Sequence, residues 1–71
     1  MKTQKEQDFE ALYQRHKDKI YRLCLGFIRE KEPANDLFQD ILIKIWRHLE
    51  SFKGESDIST WIYRIAYNTA L

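Results

Sequence analysis

The sequence predicts an all-α fold, a compact three-helix domain, on the basis of two observations. Apolar residues recur at three- and four-residue steps over long stretches, which is the spacing of one face of a helix. Residues that interrupt helices are scarce, since the 71 residues include two glycines and one proline, and strand signals are missing. With a single cysteine, Cys24, the chain forms no internal disulfide, so the apolar core of one small domain, residues 1–71, must hold the fold.

The first helix is predicted from about Gln7 to about Glu30, because its apolar residues lie on one face. That face consists of Phe9, Leu12, Tyr13, His16, Ile20, Leu23, Cys24 and Phe27. Gly26, near the helix end, lowers the stability of the helix by about 1 kcal/mol relative to alanine, and we expect it to permit close packing there. His16 is expected to be a packed or half-exposed histidine rather than a metal ligand, because no Cys/His/Asp cluster at ligand spacing accompanies it. Cys24 is expected to be a small buried apolar residue rather than a reactive thiol.

The second helix is predicted to begin with Pro33 in its first turn and to run to about Glu50. Proline suits a first turn because an N–H at that position would have no acceptor within the helix. The core face of this helix is Leu37, Phe38, Ile41, Leu42, Ile45 and Leu49, with Phe52 just beyond.

The third helix is predicted to begin near Ile58, with Ser56 or Asp57 accepting a hydrogen bond from a first-turn N–H. Its core face is Ile58, Ile62, Ile65, Ala66 and Thr69, with Trp61 at the margin. The helical pattern continues to Leu71 without a stop signal. We therefore expect the chain to be a fragment of a longer protein.

One arc of the second helix does not belong to its core face. At 100° per residue, this arc contains Asp36, Gln39, Asp40, Ile43 and Trp46. A single exposed apolar residue on a surface helix is ordinary. An apolar pair rimmed by carboxylates fits better with a partner helix whose apolar strip is flanked by Arg or Lys, so this arc is predicted to bind a protein.

The third helix has more aromatic and polar side chains than packing requires. Thr60, Arg64 and Asn68 share one side with Trp61 at its edge, and Tyr63 and Tyr67 lie on the adjoining flank. Packing for the tryptophan and an ion pair for the arginine are the simpler interpretations. Together, rings for stacking, a guanidinium for phosphate and an amide for a base edge are typical of a surface for single-stranded DNA. Because residues 51–71 hold two cationic and two anionic side chains, phosphate attraction alone would not hold the strand.

Four motifs occur together in the second half of the chain. They are Asp-Leu-x-Gln-Asp at 36–40, an aromatic-arginine pair at 46–47, Phe-Lys-Gly-Glu-Ser at 52–56 and Ser-Thr-Trp-Ile-Tyr-Arg-Ile-Ala-x-Asn at 59–68. In this order and spacing they resemble the second conserved region of bacterial RNA polymerase sigma factors, most closely the extracytoplasmic-function group. The segment FEALYQRHKDKIYRLCLGFI is similar to the helix that precedes them in that family, so the resemblance spans nearly the whole chain.

The resemblance implies a transcription initiation factor that binds core RNA polymerase, recognises the promoter minus-ten element and captures bases flipped from the non-template strand. The clamp helices of the largest polymerase subunit, an arginine-rich coiled coil, would contact Asp36, Gln39, Asp40, Ile43 and Trp46. Promoter DNA would contact Phe52, Lys53, Ser59, Thr60, Trp61, Arg64, Tyr67 and Asn68. The loop from Phe52 to Ser59 would form the pocket for a flipped base, with Phe52 and Asn68 as its walls. An anti-sigma factor is a further partner that the resemblance allows.

The family pattern also sets expectations for domain organisation and location. Residues 1–71 correspond to sigma region 2, truncated at the C-terminus, and the separate helix-turn-helix domain called region 4 is absent. No apolar run of a signal peptide begins the chain, and no window approaches the roughly 18 apolar residues of a membrane span. We therefore expect a cytoplasmic protein without membrane insertion.

Other classes of function are less well supported by the residues. No phosphate loop, nucleophile elbow or paired-carboxylate pocket is present, so we expect neither an enzyme nor a cofactor or metal. A protein that binds double-stranded DNA through a helix-turn-helix usually has a basic recognition helix. Residues 57–71 instead contain one cationic side chain, Arg64, and one anionic side chain, Asp57. The main alternative is a helical protein-interaction module, an adaptor or an anti-sigma target, that uses the second helix and never contacts DNA.

Overall fold

The computed structural model describes residues 1–52 and 57–71, and in these ranges the chain forms three α-helices and one short 3₁₀ turn. They are α1 (Gln4–Phe27), α2 (Lys31–His48), the 3₁₀ turn (Leu49–Ser51) and α3 (Ile58–Ala70). Each helix packs against the other two. The predicted all-α three-helix fold is confirmed, and none of the helices in the described ranges is long and apolar enough to cross a membrane.

The start of α1 differs from the prediction because the chain has a capping box there. The Thr3 hydroxyl accepts a hydrogen bond from the Glu6 N–H at 3.1 Å, and the Glu6 carboxylate accepts one from the Thr3 N–H at 3.4 Å. These bonds satisfy two donors that a helix start otherwise leaves unpaired. The helix therefore begins three residues before Gln7, the predicted start.

The start of α2 agrees with the prediction, and the start of α3 agrees in part. Pro33 is the third residue of α2, in its first turn as predicted. The residue before α3 is Asp57, as one of the two predictions had it, but its carboxylate makes no capping hydrogen bond, so that part is wrong. The Asp57 carbonyl instead accepts the Trp61 N–H at 3.0 Å, and Ser56 lies outside the described residues.

The core is formed by buried apolar side chains from all three helices. They are Leu12, Ile20 and Cys24 of α1, Ala34, Leu37, Ile41 and Ile45 of α2, and Ile62 and Ala66 of α3. Burying an isoleucine or leucine fully contributes about 1.5–3 kcal/mol, so these few residues carry much of the stability of so small a domain. Cys24 is fully buried, and burial raises the pKa of its thiol, which agrees with a packed rather than a reactive cysteine.

Two expectations about the C-terminal part of α1 are wrong. Phe27 was placed on the core face, yet it is 40% exposed because the core ends at Cys24, one turn earlier. Gly26 was expected to permit close packing, but, apart from its chain neighbours and the backbone of its own helix, no atom of the described residues lies within 4 Å of where its Cβ would be. Both residues border a surface groove between α1 and α3.

His16 is buried on the core side of α1, only 8% exposed. Its pKa is lowered first by burial and then by the positive charges of Arg15 and Lys19. The unfolded chain, with a histidine pKa near 6.5, therefore takes up protons more readily than the folded chain. The contribution of neutral His16 to the free energy of unfolding is therefore complete above about pH 6.5. It is lost as the pH falls toward the lower folded-state pKa.

We expect His16→Gln to reduce the loss of stability between pH 7.5 and pH 5.5, because the substituted side chain does not titrate. Urea unfolding of the two proteins at both pH values measures this difference. The matched control is His48→Gln, which makes the same substitution at an exposed histidine of α2. An unchanged pH dependence in His16→Gln would show that His16 is not responsible.

Candidate protein and nucleic-acid interfaces

The predicted protein-binding arc of α2 lies mostly in solvent. Asp36, Gln39 and Asp40 are exposed, and Ile43 is 49% exposed, a large fraction for an isoleucine in a structured helix. Gln39, Ile43 and Trp46 line a groove of about 380 Å³, together with Phe9, Leu42 and Arg47. An apolar groove of this kind can accept a side chain from a partner helix.

Trp46 is both a wall of this groove and a packing residue. It is half-buried, and the Phe9 ring of α1 meets it edge to face, with centroids 5.4 Å apart and planes at 86°. The Lys5 ammonium lies 4.3 Å from the centroid of the Trp46 ring and 3.2 Å from a carboxylate oxygen of Glu50. Edge-to-face ring pairs contribute about 0.5–1.5 kcal/mol, and cation–π contacts at exposed sites about 0.5–1 kcal/mol. Trp46 is therefore held in place by Phe9 and Lys5 of α1, contacts that the pattern of α2 alone does not show.

The predicted DNA-binding residues do not all lie on one side of α3. Trp61 meets Phe52 with ring centroids 5.1 Å apart and planes at 34°. Tyr67 instead meets Phe27 of α1, with centroids 5.4 Å apart and planes at 82°. Six residues at 100° each separate Trp61 and Tyr67 by about 120° around the helix. Two aromatic pairs therefore lie on different flanks of α3, and Tyr67 is on the flank that adjoins the side with Trp61 at its edge.

The Phe52 side of α3 also contacts α1. Phe52 is half-buried and lines a cavity of about 360 Å³ with Ile58, Leu49 and residues of α1 that include Arg15 and His16. Thr60, Arg64 and Asn68 are exposed and recur every fourth residue along α3, whereas Ser59 is half-buried. Lys53, predicted to contact DNA, lies outside the described residues, as does the rest of the loop at 54–56.

The Tyr67 side contains residues that the sequence interpretation missed. A groove of about 520 Å³ is lined by Lys19, Arg22, Leu23, Gly26, Phe27, Tyr63 and Tyr67. Tyr67 is 50% exposed there, and the two cations are on the opposite helix. The signal in the sequence is the pair of cations Lys19 and Arg22, which lie two turns and one turn before Gly26.

The described residues contain no group of three or more His, Cys, Asp or Glu side chains that could hold a metal ion. The features that the structure does bring together are exposed rings, amide and hydroxyl groups, and isolated cations. Such groups bind a partner through packing and hydrogen bonds.

The sequence of the chain is similar to those of known proteins. Residues 12–71 match the family model of Sigma-70 region 2. Over 62 residues the chain is 40% identical to the RNA polymerase sigma-H factor of Pseudomonas aeruginosa, covering 87% of the chain and 32% of that protein. It is 39% identical over 62 residues to the ECF RNA polymerase sigma-E factor of Escherichia coli, covering 87% of the chain and 32% of the relative. It is 38% identical over 56 residues to the ECF RNA polymerase sigma factor SigW of Bacillus subtilis, covering 79% of the chain and 30% of the relative.

The chain thus spans about a third of the length of these curated relatives. No solved structure gives a significant match. The matched range includes the whole of α2 and α3, and with them every residue predicted to contact polymerase or DNA. The chain therefore belongs to the Sigma-70 region 2 family.

Proposed function

We propose that this chain is the part of an extracytoplasmic-function sigma factor that binds core RNA polymerase and recognises and melts the promoter minus-ten element. The observation that carries the proposal is the position of Ile43. It is half exposed, lines one groove with Trp46, and lies on the helical face that bears Asp36 and Asp40. The face lies within the segment that matches Sigma-70 region 2.

The polymerase contact that we propose is with the clamp helices of the largest subunit. Ile43 and Trp46 would supply the apolar contact area, because buried apolar and aromatic anchors dominate the energy of most interfaces. Asp36 and Asp40 would face arginines of the coiled coil. Exposed ion pairs contribute only about 0.2–1 kcal/mol each, so the carboxylates act mainly in orientation and in exclusion of wrong partners.

The DNA contact that we propose uses the exposed side of α3 and the aromatic pair beside it. Arg64 would contact phosphate, Asn68 would read a base edge, and the rings of Phe52 and Trp61 would border the flipped base. Flipping a base costs a few kcal/mol, and each stacking contact returns about 1–3 kcal/mol. Arg64 is the single Lys or Arg in residues 57–71, so phosphate attraction adds little. The stacking contacts therefore barely offset the free-energy cost of flipping the base.

An order of events follows from these magnitudes. A domain whose DNA contacts barely offset the cost of base flipping opens a promoter only after another component has brought the strand to it. Docking on the polymerase would place α3 beside the DNA at high effective concentration. Clamp binding would then precede promoter melting, and the protein would act in the cytoplasm without a catalytic step of its own.

We expect Asp40→Arg to weaken binding to the isolated clamp coiled coil at least tenfold, because it places a cation opposite the arginines of the partner. Fluorescence anisotropy titration of the labelled coiled coil with the full chain measures the affinity. Far-UV circular dichroism checks the fold, which should be unchanged because Asp40 is exposed. The matched control is Asp18→Arg on the exposed surface of α1, which should retain wild-type affinity. Equal affinities for Asp40→Arg and wild type would reject the polymerase contact.

We expect Asn68→Ala to relax the preference for one base of the minus-ten element while leaving clamp affinity unchanged. The lost amide would otherwise discriminate that base by about 1–3 kcal/mol. Run-off transcription by core polymerase with the full-length protein, on promoters varied one base at a time, measures the preference. Gln14→Ala, an exposed substitution on α1, serves as the control. A base preference identical to that of the wild type would count against the role of Asn68.

A further inference from the structure

We infer that the groove between α1 and α3 is a second part of the DNA-binding surface, in which Lys19 and Arg22 hold phosphates of the unpaired strand and Tyr67 stacks on one of its bases. This inference rests on the proposed function and extends it to α1, where none of the four sequence motifs lies. Its basis is the composition of the groove of about 520 Å³, which brings these two cations together with three aromatic rings.

Tyr67 connects this groove to the side of α3 that is proposed to read bases. At 100° per residue, Tyr67 lies about 20° from Thr60 and about 60° from Arg64 around the helix. All three side chains are exposed. The same Tyr67 ring lines the groove with Lys19 and Arg22. A strand on the Arg64 side of α3 can therefore continue over Tyr67 into the groove without crossing a buried face.

The cations beside the groove form a row along α1. Arg15, Lys19 and Arg22 are exposed, and at 100° per residue they lie within about 60° of one another. At a rise of about 1.5 Å per residue, the row is about 10 Å long, which matches about three phosphates of a stacked strand at about 3.4 Å each. Arg15 extends the row to the cavity that Phe52 lines. The row is therefore long enough to follow a strand rather than to bind one phosphate.

The two groove cations are available to a partner. Among the residues that the structure describes, neither Lys19 nor Arg22 forms an ion pair, although Asp18 is next to the first and one turn from the second. Their charge suits a polyanion, and rings beside cations are typical of surfaces that bind single strands. Because α3 has one cation, Arg64, α1 supplies phosphate attraction that α3 lacks.

The ring that would receive a base is already held in place. Phe27 meets Tyr67 edge to face, while Tyr67 remains 50% exposed. A side chain that is fixed before binding loses less conformational freedom when a partner contacts it. An acidic protein segment would also be attracted by the two cations, but a fixed, exposed ring beside them favours a nucleobase.

The first test measures the salt dependence of binding to a fluorescein-labelled, single-stranded oligodeoxythymidylate by anisotropy titration of the full chain. Lys19→Gln/Arg22→Gln should flatten the plot of log affinity against log salt concentration by about 1.4, because each phosphate contact of a single strand contributes about 0.7 to the slope. The matched control is Lys31→Gln/Lys44→Gln, which removes two exposed cations of α2, a helix that does not line the groove. This control should keep the wild-type slope, and equal slopes in both double variants would overturn the inference.

The second test examines the stacking role of Tyr67. Tyr67→Leu should weaken binding to the oligodeoxythymidylate at least fivefold, because it removes the ring but keeps an apolar side chain. Tyr67→Phe retains the ring and should stay within about twofold of wild type. An abasic oligomer of the same length carries the phosphates without the bases, so Tyr67→Leu should leave its affinity unchanged. Equal losses for the two oligomers would show that the ring acts in packing rather than in stacking, and would overturn its assignment.

The outcomes separate this inference from the function on which it rests. If the wild-type chain does not bind the oligodeoxythymidylate even at low salt, the inference is wrong. If a polyglutamate peptide of equal charge binds the wild-type chain as tightly as the oligodeoxythymidylate does, the groove fits an acidic protein instead, and the inference is again wrong. Failure of the proposed function would appear in an assay without DNA, as a wild-type chain that does not bind the clamp coiled coil.

Discussion

The burial of Ile41 and Ile45 is the constraint on which the rest of the structure depends. Both are completely buried, in the helix that packs against each of the other two. At 100° per residue, Ile43 is about 160° from each of them around the helix. Packing these two isoleucines into the core therefore turns Ile43 outward. The half-exposed isoleucine is a geometric consequence of the core, and the sequence retains an apolar residue at a position where packing does not require one.

Aromatic pairs at the borders between helices serve both packing and recognition. Phe9 with Trp46 and Tyr21 with Phe38 join α1 to α2, and Phe27 with Tyr67 joins α1 to α3. Phe52 with Trp61 joins the segment after the 3₁₀ turn to α3. A domain of this size buries only about 60% of the surface that its unfolded chain exposes, so such border contacts are a substantial addition to its core. Five of these rings also line surface grooves: Phe9, Phe27, Trp46, Phe52 and Tyr67. A substitution at one of them would therefore change both the packing and the shape of a groove.

Helical periodicity predicted the architecture because each helix buries one continuous face. It also predicted that Ile43 would be exposed, because that depends only on the residue's angle relative to its own core face. The start of α1 could have been predicted as well, since Thr3 and Glu6 have the spacing of a capping box. Phe27 could not be assigned from periodicity alone, because it continues the apolar face of α1 to a point where Tyr67 of α3 covers its ring only in part.

The contacts around the predicted site residues depend on neighbours distant in sequence. Periodicity in α2 places Trp46 near Ile43 but does not show that Phe9 and Lys5 lie against its ring. The angle between Trp61 and Tyr67 places them on adjoining flanks of α3 but does not reveal that Phe52 contacts the first and α1 the second. The pocket that the resemblance implies between Phe52 and Asn68 remains a prediction, because half of its loop lies outside the described residues.

In the proposed function, two isoleucines of α2 have separate roles: Ile45 stabilises the fold, and Ile43 would contact the polymerase. The most direct measurement compares Ile43→Ala with Ile45→Ala in urea unfolding and in titration with the clamp coiled coil. We expect Ile45→Ala to lower the free energy of unfolding by about 2–5 kcal/mol. We expect Ile43→Ala to lower the free energy of unfolding by less than about 1 kcal/mol yet to weaken binding at least fivefold, as for an interface anchor. Wild-type affinity in Ile43→Ala, or an equal loss of stability in the two variants, would contradict these separate roles.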